Sequence, residues 1–268
     1  MGSKPAMIHH VYVDTGTTDI AKMPRGGPDA SWLDRRLQTN RLEYLDRDDV
    51  EDLKHKVMDS LDRAGRRRRI GIHDKCARMV LQEVAEISHP NILELGAGLG
   101  GLSRKLLEKH PTAQVTVTDI EPAFIASMTA SDLGRHPRAT IRQMDATRID
   151  APEGFYDLAV FALSLHHLPP ELAARVFAAG TRAAKKLLIV DLPRPPAPLH
   201  LGLLAVVLPL VRISPLQHDG FISSLRAYSP SALRALARYA DPSITVEFRT
   251  RRGLGPTVAV ASRGPYRT

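Results

Sequence analysis

The chain has 268 residues, 43% of them hydrophobic, with 37 Lys+Arg, 29 Asp+Glu, one Cys and one Trp. That length fits one large domain, or one domain with an added segment, and the apolar fraction excludes global disorder. The lone Cys76 excludes a disulfide scaffold and a cysteine-built zinc site, and it points to a reducing, cytoplasmic compartment. The net charge of +8 leaves nucleic acid, a membrane surface or an acidic substrate as candidate partners. The excess is local: residues 1–89 hold 16 basic and 15 acidic side chains, residues 90–192 hold 11 and 11, and residues 193–268 hold 10 and 3. The cluster Arg66–Arg69 is nearly balanced by the acidic stretch before it and reads as a solvated helix end.

Residues 1–28 are polar, lack periodicity and read as a flexible arm. Residues 29–89 read as a helical cap. Leu33, Leu37, Leu42 and Leu45 share roughly one helical face, and Leu53, Val57 and Leu61 recur every four residues. A third helix runs from Asp74, its expected N-cap, to Ile87, with Val80 and Val84 in its buried stripe.

From residue 90 to 268 the period changes. Short apolar runs at 91–95, 114–118, 140–143, 156–163 and 187–191 alternate with helical segments at 102–109, 122–132 and 170–184. Such alternation implies right-handed crossovers and a parallel sheet covered on both faces. Ser229 and Pro230 open a last helix, and strands at 244–249 and 257–261 form an antiparallel hairpin that closes the sheet. Between them, residues 194–228 read as a substrate lid. Its apolar run Leu201–Val211 is too short to span a bilayer and suits a lid, a homodimer face or a membrane-touching patch. No transmembrane span or secretory signal is expected.

Leu93-Glu94-Leu95-Gly96-Ala97-Gly98-Leu99-Gly100-Gly101 leaves the first strand and opens a helix. Glycines there let backbone approach a ligand, and the helix start supplies free N–H groups. No Gly-Lys-Ser/Thr follows, so the phosphate-binding Walker loop is excluded, while a dinucleotide loop survives on spacing alone. Glu94 suits a cationic amino-acid moiety and would repel pyrophosphate. Asp119 ends the second strand, where an acid holds ribose hydroxyls, with Ile120 beside it. Asp145-Ala146 follows the third strand and suits an adenine amino group.

With these residues together, the sequence resembles the class I S-adenosylmethionine-dependent methyltransferases over about residues 72–262. The resemblance implies a Rossmann-like, doubly wound, mostly parallel seven-stranded α/β sheet with an antiparallel last strand. It further implies that Gly96, Ala97, Gly98 and Gly100 cradle the methionine portion of the cofactor and that Asp119 binds the ribose. Asp145 and Ala146 would frame the adenine, and the Leu163 carbonyl would meet the methionine amino group. His73 is a candidate to cover it.

Ser164-Leu165-His166-His167-Leu168-Pro169 follows the fourth strand. It is similar to the Leu-His-His motif of bacterial sugar and small-molecule O-methyltransferases, and the Trp32-Leu33-Asp34 region also looks like that of actinobacterial members. An alcohol needs its proton removed, so an imidazole is the expected base: His167 first, His166 second. Asp191 ends the fifth strand, ready to orient a His, bind a hydroxyl or ligate a metal. Asp191, His218, Asp219 and His167 form a candidate set for a divalent ion such as magnesium. Arg226 and Tyr228, with His218 and Asp219, are candidate substrate contacts. The reading is methyl transfer to a hydroxyl of a small molecule, a saccharide first. The alternatives are a nicotinamide-dependent oxidoreductase and an RNA-binding module. No Tyr is followed four residues later by Lys, and a 5% aromatic content argues against RNA recognition by stacking.

Overall fold

A computed structural model describes residues 19–47, 49, 50, 52–54, 56, 57, 60, 71–211, 214–249 and 255–264. Seven strands form one sheet: β1 (Asn91–Leu95), β2 (Gln114–Asp119), β3 (Ala139–Gln143), β4 (Leu158–Ala162), β5 (Leu187–Asp191), β6 (Ile244–Phe248) and β7 (Thr257–Arg263). Their order is β3-β2-β1-β4-β5-β7-β6. β7 alone runs antiparallel to its neighbours β5 and β6.

Helices α1 (Trp32–Arg36), α2 (Ile72–Glu83), α3 (Gly101–Lys109), α4 (Pro122–Ala130) and α5 (Pro170–Ala183) precede or cross over the sheet. They are followed by α6 (Ala197–Val207), α7 (Pro215–Arg226) and α8 (Pro230–Ala240).

Side-chain alternation along the strands builds two cores. Leu93, Leu95, Phe161, Leu187 and Ile189 face α5 and α8, where Phe177, Leu233 and Leu236 meet them. Ile92, Val115, Val117, Val160 and Val190 face the other way, against Val80 of α2 and Leu102 and Leu106 of α3. Burial on both faces explains why β4 is a continuous apolar run and β5 is apolar up to its terminal Asp191, while β1 carries one charged residue, the buried Glu94. The chain steps outward from β1 to β2 and β3, then returns to β4 on the opposite side of β1. The switch point therefore lies between β1 and β4, and ligands of such sheets bind at the carboxyl ends there.

The N-terminal third departs from its expected form. From Asp19 the arm is docked: Ile20 and Met23 are buried in the first core, and Arg25 is buried as well. The expected leucine helix is only α1; residues 38–43 have no helical turn, and Tyr44–Asp46 is a single 3₁₀ turn. Arginine and carboxylate contacts described below hold this stretch extended, which overrides its leucine spacing. Val57 is fully buried, whereas Leu61 and Arg66–Arg69 lie outside the described residues. The N-cap of α2 is Gly71; Asp74 sits inside the first turn, paired with Lys109 at 2.7 Å and with Arg78.

α6 packs through Ala197, His200 and Leu204, and leaves Leu199, Leu201, Leu203 and Val206 exposed. No described helix is long and apolar enough to cross a membrane.

Ser229 caps α8 as its sequence suggests. Its Oγ accepts from the Ala232 N–H at 3.1 Å and donates to the Gly26 carbonyl at 2.6 Å, which ties the N-terminal segment to the helix start. Ser229→Ala is expected to cost about 1–2 kcal/mol in urea unfolding; a loss below about 0.3 kcal/mol would show that the cap contributes nothing to stability.

Candidate active site

A cavity of about 490 Å³ opens at the switch point, within the usual size for a small-molecule site. One end is built by the loop after β1 and by the ends of β2 and β3. Gly96 has φ +60°, and a Cβ there would stand 2.7 Å from the Phe161 ring, so only glycine fits. Its neighbours Ala97 and Gly98 line the cavity, as do Glu94, Asp119, Ile120, Asp145, Ala146 and Leu163. Gly100 does not; it is buried at the start of α3, facing Leu133 and Met128.

Charge at this end is set by burial. Glu94 is 3% exposed and accepts a hydrogen bond from the Ser103 hydroxyl, yet burial pushes its carboxyl up to about 7. Burial also raises Asp119, against the N–H donors of Gly98 at 2.8 Å and Glu121 at 2.9 Å. Asp145 accepts from Thr147 through both its N–H and its hydroxyl, each at 2.8 Å. Leu163, directly after β4, is the one described non-glycine residue at positive φ, +56°. This strained conformation for a leucine stands at the cavity wall, where such strain commonly serves a site.

The other end is the turn Leu165–His167. His167 lines the cavity, together with Ser164 and Leu168. His166 is buried behind it, with the two rings 4.3 Å apart. Each ring is held by its own carboxylate: His166 Nδ1 lies 2.7 Å from Asp191 Oδ1, and His167 Nδ1 lies 2.7 Å from Asp46 Oδ1. Asp191 also accepts from the backbone N–H of His166 and of Leu192. Burial alone would raise Asp191, but the facing His166 and these donors hold it below the usual range. Asp46 is drawn to about 2: burial opposes this, and His167 and Arg226 outweigh burial. Ionised carboxylates only accept, so both rings donate from Nδ1 and turn Nε2 away from Asp191 and Asp46.

The two Nε2 atoms converge on Glu43, at 3.7 Å from Oε1 for His166 and 3.9 Å from Oε2 for His167. Glu43 is 2% exposed, and burial pushes it up to about 7 although the facing His167 favours the ionised form. Among the described residues, Glu43, His166 and His167 form a cluster with ligand spacing for a metal.

Several expected contacts are placed differently. Asp191 stands behind His166 and does not reach the cavity. His218, Asp219, Arg226 and Tyr228 do not line it either, and no described residue of the expected lid does. Asp219 accepts from the N–H groups of Tyr44 at 2.9 Å and Leu45 at 3.4 Å, and His218 stacks on the Tyr44 ring at 4.3 Å. Arg226 reaches Asp46 at 2.5 Å and donates to the His167 carbonyl, while the Tyr228 hydroxyl donates to the Leu168 carbonyl at 2.8 Å. These residues brace the wall from outside.

The wall itself includes Leu45, Asp46 and Lys54 from the N-terminal third, His73 and Cys76 from α2, and Phe124 from α4. The sequence does not single out Glu43 and Asp46, because they sit in a highly charged stretch; only the Glu-x-x-Asp spacing around a turn hints at them. The expected ion set is likewise dissolved, since Asp191, His218 and Asp219 are occupied elsewhere and only His167 belongs to the observed cluster.

Gly96→Ala is expected to displace Phe161 and close the loop end of the cavity. Loss of ligand binding by calorimetry with little change in secondary structure is the expected result; unchanged binding would show that the loop tolerates a side chain.

Comparison with known proteins agrees with this architecture. Residues 92–186 match the methyltransferase domain family. An 84-residue stretch is 33% identical to part of the hybrid PKS-NRPS synthetase apdA of Emericella nidulans; the match covers 29% of this chain, which spans 2% of that protein's length. The fold is similar to the plantazolicin methyltransferase BpumL, solved in complex with SAH, with a TM-score of 0.60, 11% identity, and 87% and 94% of the two chains covered. It is also similar to the [4+2]-cyclase SpnF, with a TM-score of 0.55, 15% identity, and 77% and 74% covered. The sheet order is thus that of the class I S-adenosylmethionine-dependent methyltransferase fold, and residues 92–186 carry the match to the methyltransferase domain family.

Proposed function

We propose that this protein transfers the methyl group of S-adenosylmethionine to a hydroxyl of a small molecule, with a saccharide as the first acceptor class. The carrying observation is one unbroken cavity that runs from Glu94, Asp119 and Asp145 to His167. BpumL, of similar fold, holds SAH, the product such a cofactor leaves behind, which supports the choice of cofactor.

In this reading Glu94 faces the cationic amino group of the cofactor, and Asp119 accepts from the ribose hydroxyls. Asp145 and Ala146 border the adenine. The Leu163 carbonyl, displaced from strand geometry by its positive φ, receives the amino group. The acceptor hydroxyl sits at the His167 corner, in line with the sulfonium methyl. As the C–O bond forms and the C–S bond breaks, the hydroxyl proton passes to the imidazole of His167. His166 and Asp46 position that ring. The Leu-His-His turn supports a hydroxyl acceptor; its likeness to sugar methyltransferases supports a saccharide, methylated mannosides among them.

The test is turnover of labelled S-adenosylmethionine against sugar and phenol panels, with mass spectrometry of the products. A methylated saccharide is expected. SpnF carries the same fold as a cyclase, so cofactor binding without any methylated product would remove the proposal. Binding of NADH in place of S-adenosylmethionine would favour the oxidoreductase.

His167→Ala is expected to keep cofactor affinity and to lower kcat by ~10²-fold or more; unchanged turnover would remove His167 from the reaction. The cationic cofactor selects the ionised form of Glu94, whose free carboxyl sits at about 7. Affinity should therefore fall as pH drops below 7, by up to about tenfold per unit, and level off above it. Calorimetry from pH 5.5 to 8 checks this, and Glu94→Gln should both weaken binding and flatten the profile.

A further inference from the structure

We propose that Glu43, His166 and His167 bind one first-row transition-metal ion, such as zinc, iron(II) or cobalt, at the acceptor end of the cavity. Two imidazoles and one carboxylate, each offering one atom within 4.8 Å of the others, make a three-ligand set with positions left open. Imidazole donors suit these ions and not magnesium, which prefers oxygen ligands and water.

Three independent observations converge. Both rings have Nδ1 tied to a carboxylate, Asp191 and Asp46, each at 2.7 Å. This is the arrangement that fixes a metal-binding histidine with Nε2 outward. Both Nε2 atoms then face Glu43. Finally, Glu43 Oε1 is buried without a hydrogen-bond partner. With the two ring nitrogens facing the carboxylate at 3.7 and 3.9 Å, beyond hydrogen-bonding distance, the gap between the three groups is the place for a cation that would satisfy this oxygen. Arg226 does not fill that role. Its Nη1 is 3.9 Å from Glu43 Oε1 and is engaged by Asp46 at 2.5 Å.

The inference rests on the acceptor site proposed above and refines its last step. His167 is the ligand that also lines the cavity, so the open positions of the ion adjoin the acceptor. An ion held there would acidify a coordinated hydroxyl, so that its proton would leave to solvent as the oxygen takes the methyl group and the sulfur keeps the C–S electron pair, with His166, His167 and Glu43 holding the ion. The bare imidazole base then describes the ion-free enzyme. A cation inserted in the cluster also joins the N-terminal segment, through Glu43, to the turn after β4.

The experiment titrates metal-stripped full chain with Co²⁺, read by calorimetry and by visible d–d absorption. The expected result is one ion per chain, with affinity lowered about 10–100-fold by Asp191→Asn. Glu43→Gln and His167→Gln should each lower it further. Circular dichroism shows whether each variant is folded. Folded wild-type protein that takes up no Co²⁺ overturns the site, as does uptake unaffected by Glu43→Gln and His167→Gln. The proposed function fails separately. Methyl transfer by stripped protein that binds no ion keeps the function and removes the metal. Stoichiometric Co²⁺ binding without methyl transfer to any acceptor keeps the site and removes the function.

Discussion

Three consecutive backbone carbonyls, those of His166, His167 and Leu168, point away from the cavity into the protein, and each needs a donor there. Arg25 donates to the first at 3.1 Å and to the third at 2.9 Å. Arg226 donates to the second, and the Tyr228 hydroxyl donates to the third at 2.8 Å. Arg25 also binds the Arg226 carbonyl at 3.0 Å and lies over the Tyr228 ring at 4.4 Å. The orientation of the histidine pair therefore depends on side chains about 140 residues before the turn and about 60 after it. Loss of either guanidinium would bare a buried carbonyl and free the turn.

The same clasp gives the charge distribution a structural meaning. Of the six described arginines beyond residue 192, four pair with carboxylates: Arg194 with Asp34, Arg226 with Asp46, Arg249 with Glu83 and Arg263 with Asp241. Three of those acids come from the first third of the chain. Part of the basic last third is thus counter-charge: Arg194 and Arg226 dock the N-terminal segment, and Arg249 holds the end of α2. Arg194 shows this most fully: nearly inaccessible, it spans Asp34 and the carbonyls of Leu37, Leu225 and Ala227.

The carboxylates in the cavity wall and just behind it behave differently although all are largely buried. Glu94 and Asp119 face hydroxyl or backbone donors, and burial raises both. Asp46 and Asp191 face imidazoles, with Arg226 also on Asp46, and both are lowered. One end of the cavity therefore has acids that a cationic ligand would help to ionise. The other has acids already ionised and committed to orienting histidines.

Much of the fold was legible in the sequence because its determinants are local. β1 and β5 keep their expected bounds, the Ser229 cap is read from two residues, and the glycine loop follows from the need for positive φ next to Phe161. The glycine-loop end of the cavity was legible for the same reason, since Glu94, Asp119, Asp145 and Leu163 sit at strand ends that periodicity locates. The histidine end was not. Glu43 and Asp46 meet the histidines across more than 120 residues, and their segment has a leucine spacing that suggests a helix it does not form. Asp219 and Arg226 looked like substrate contacts, but their partners are backbone and carboxylate groups of that distant segment. Sequence alone determined the strands that make up the sheet and the glycine loop, through burial patterns and backbone freedom. Tertiary structure alone decided which charges face each other, because buried ions must find partners wherever the fold brings them together.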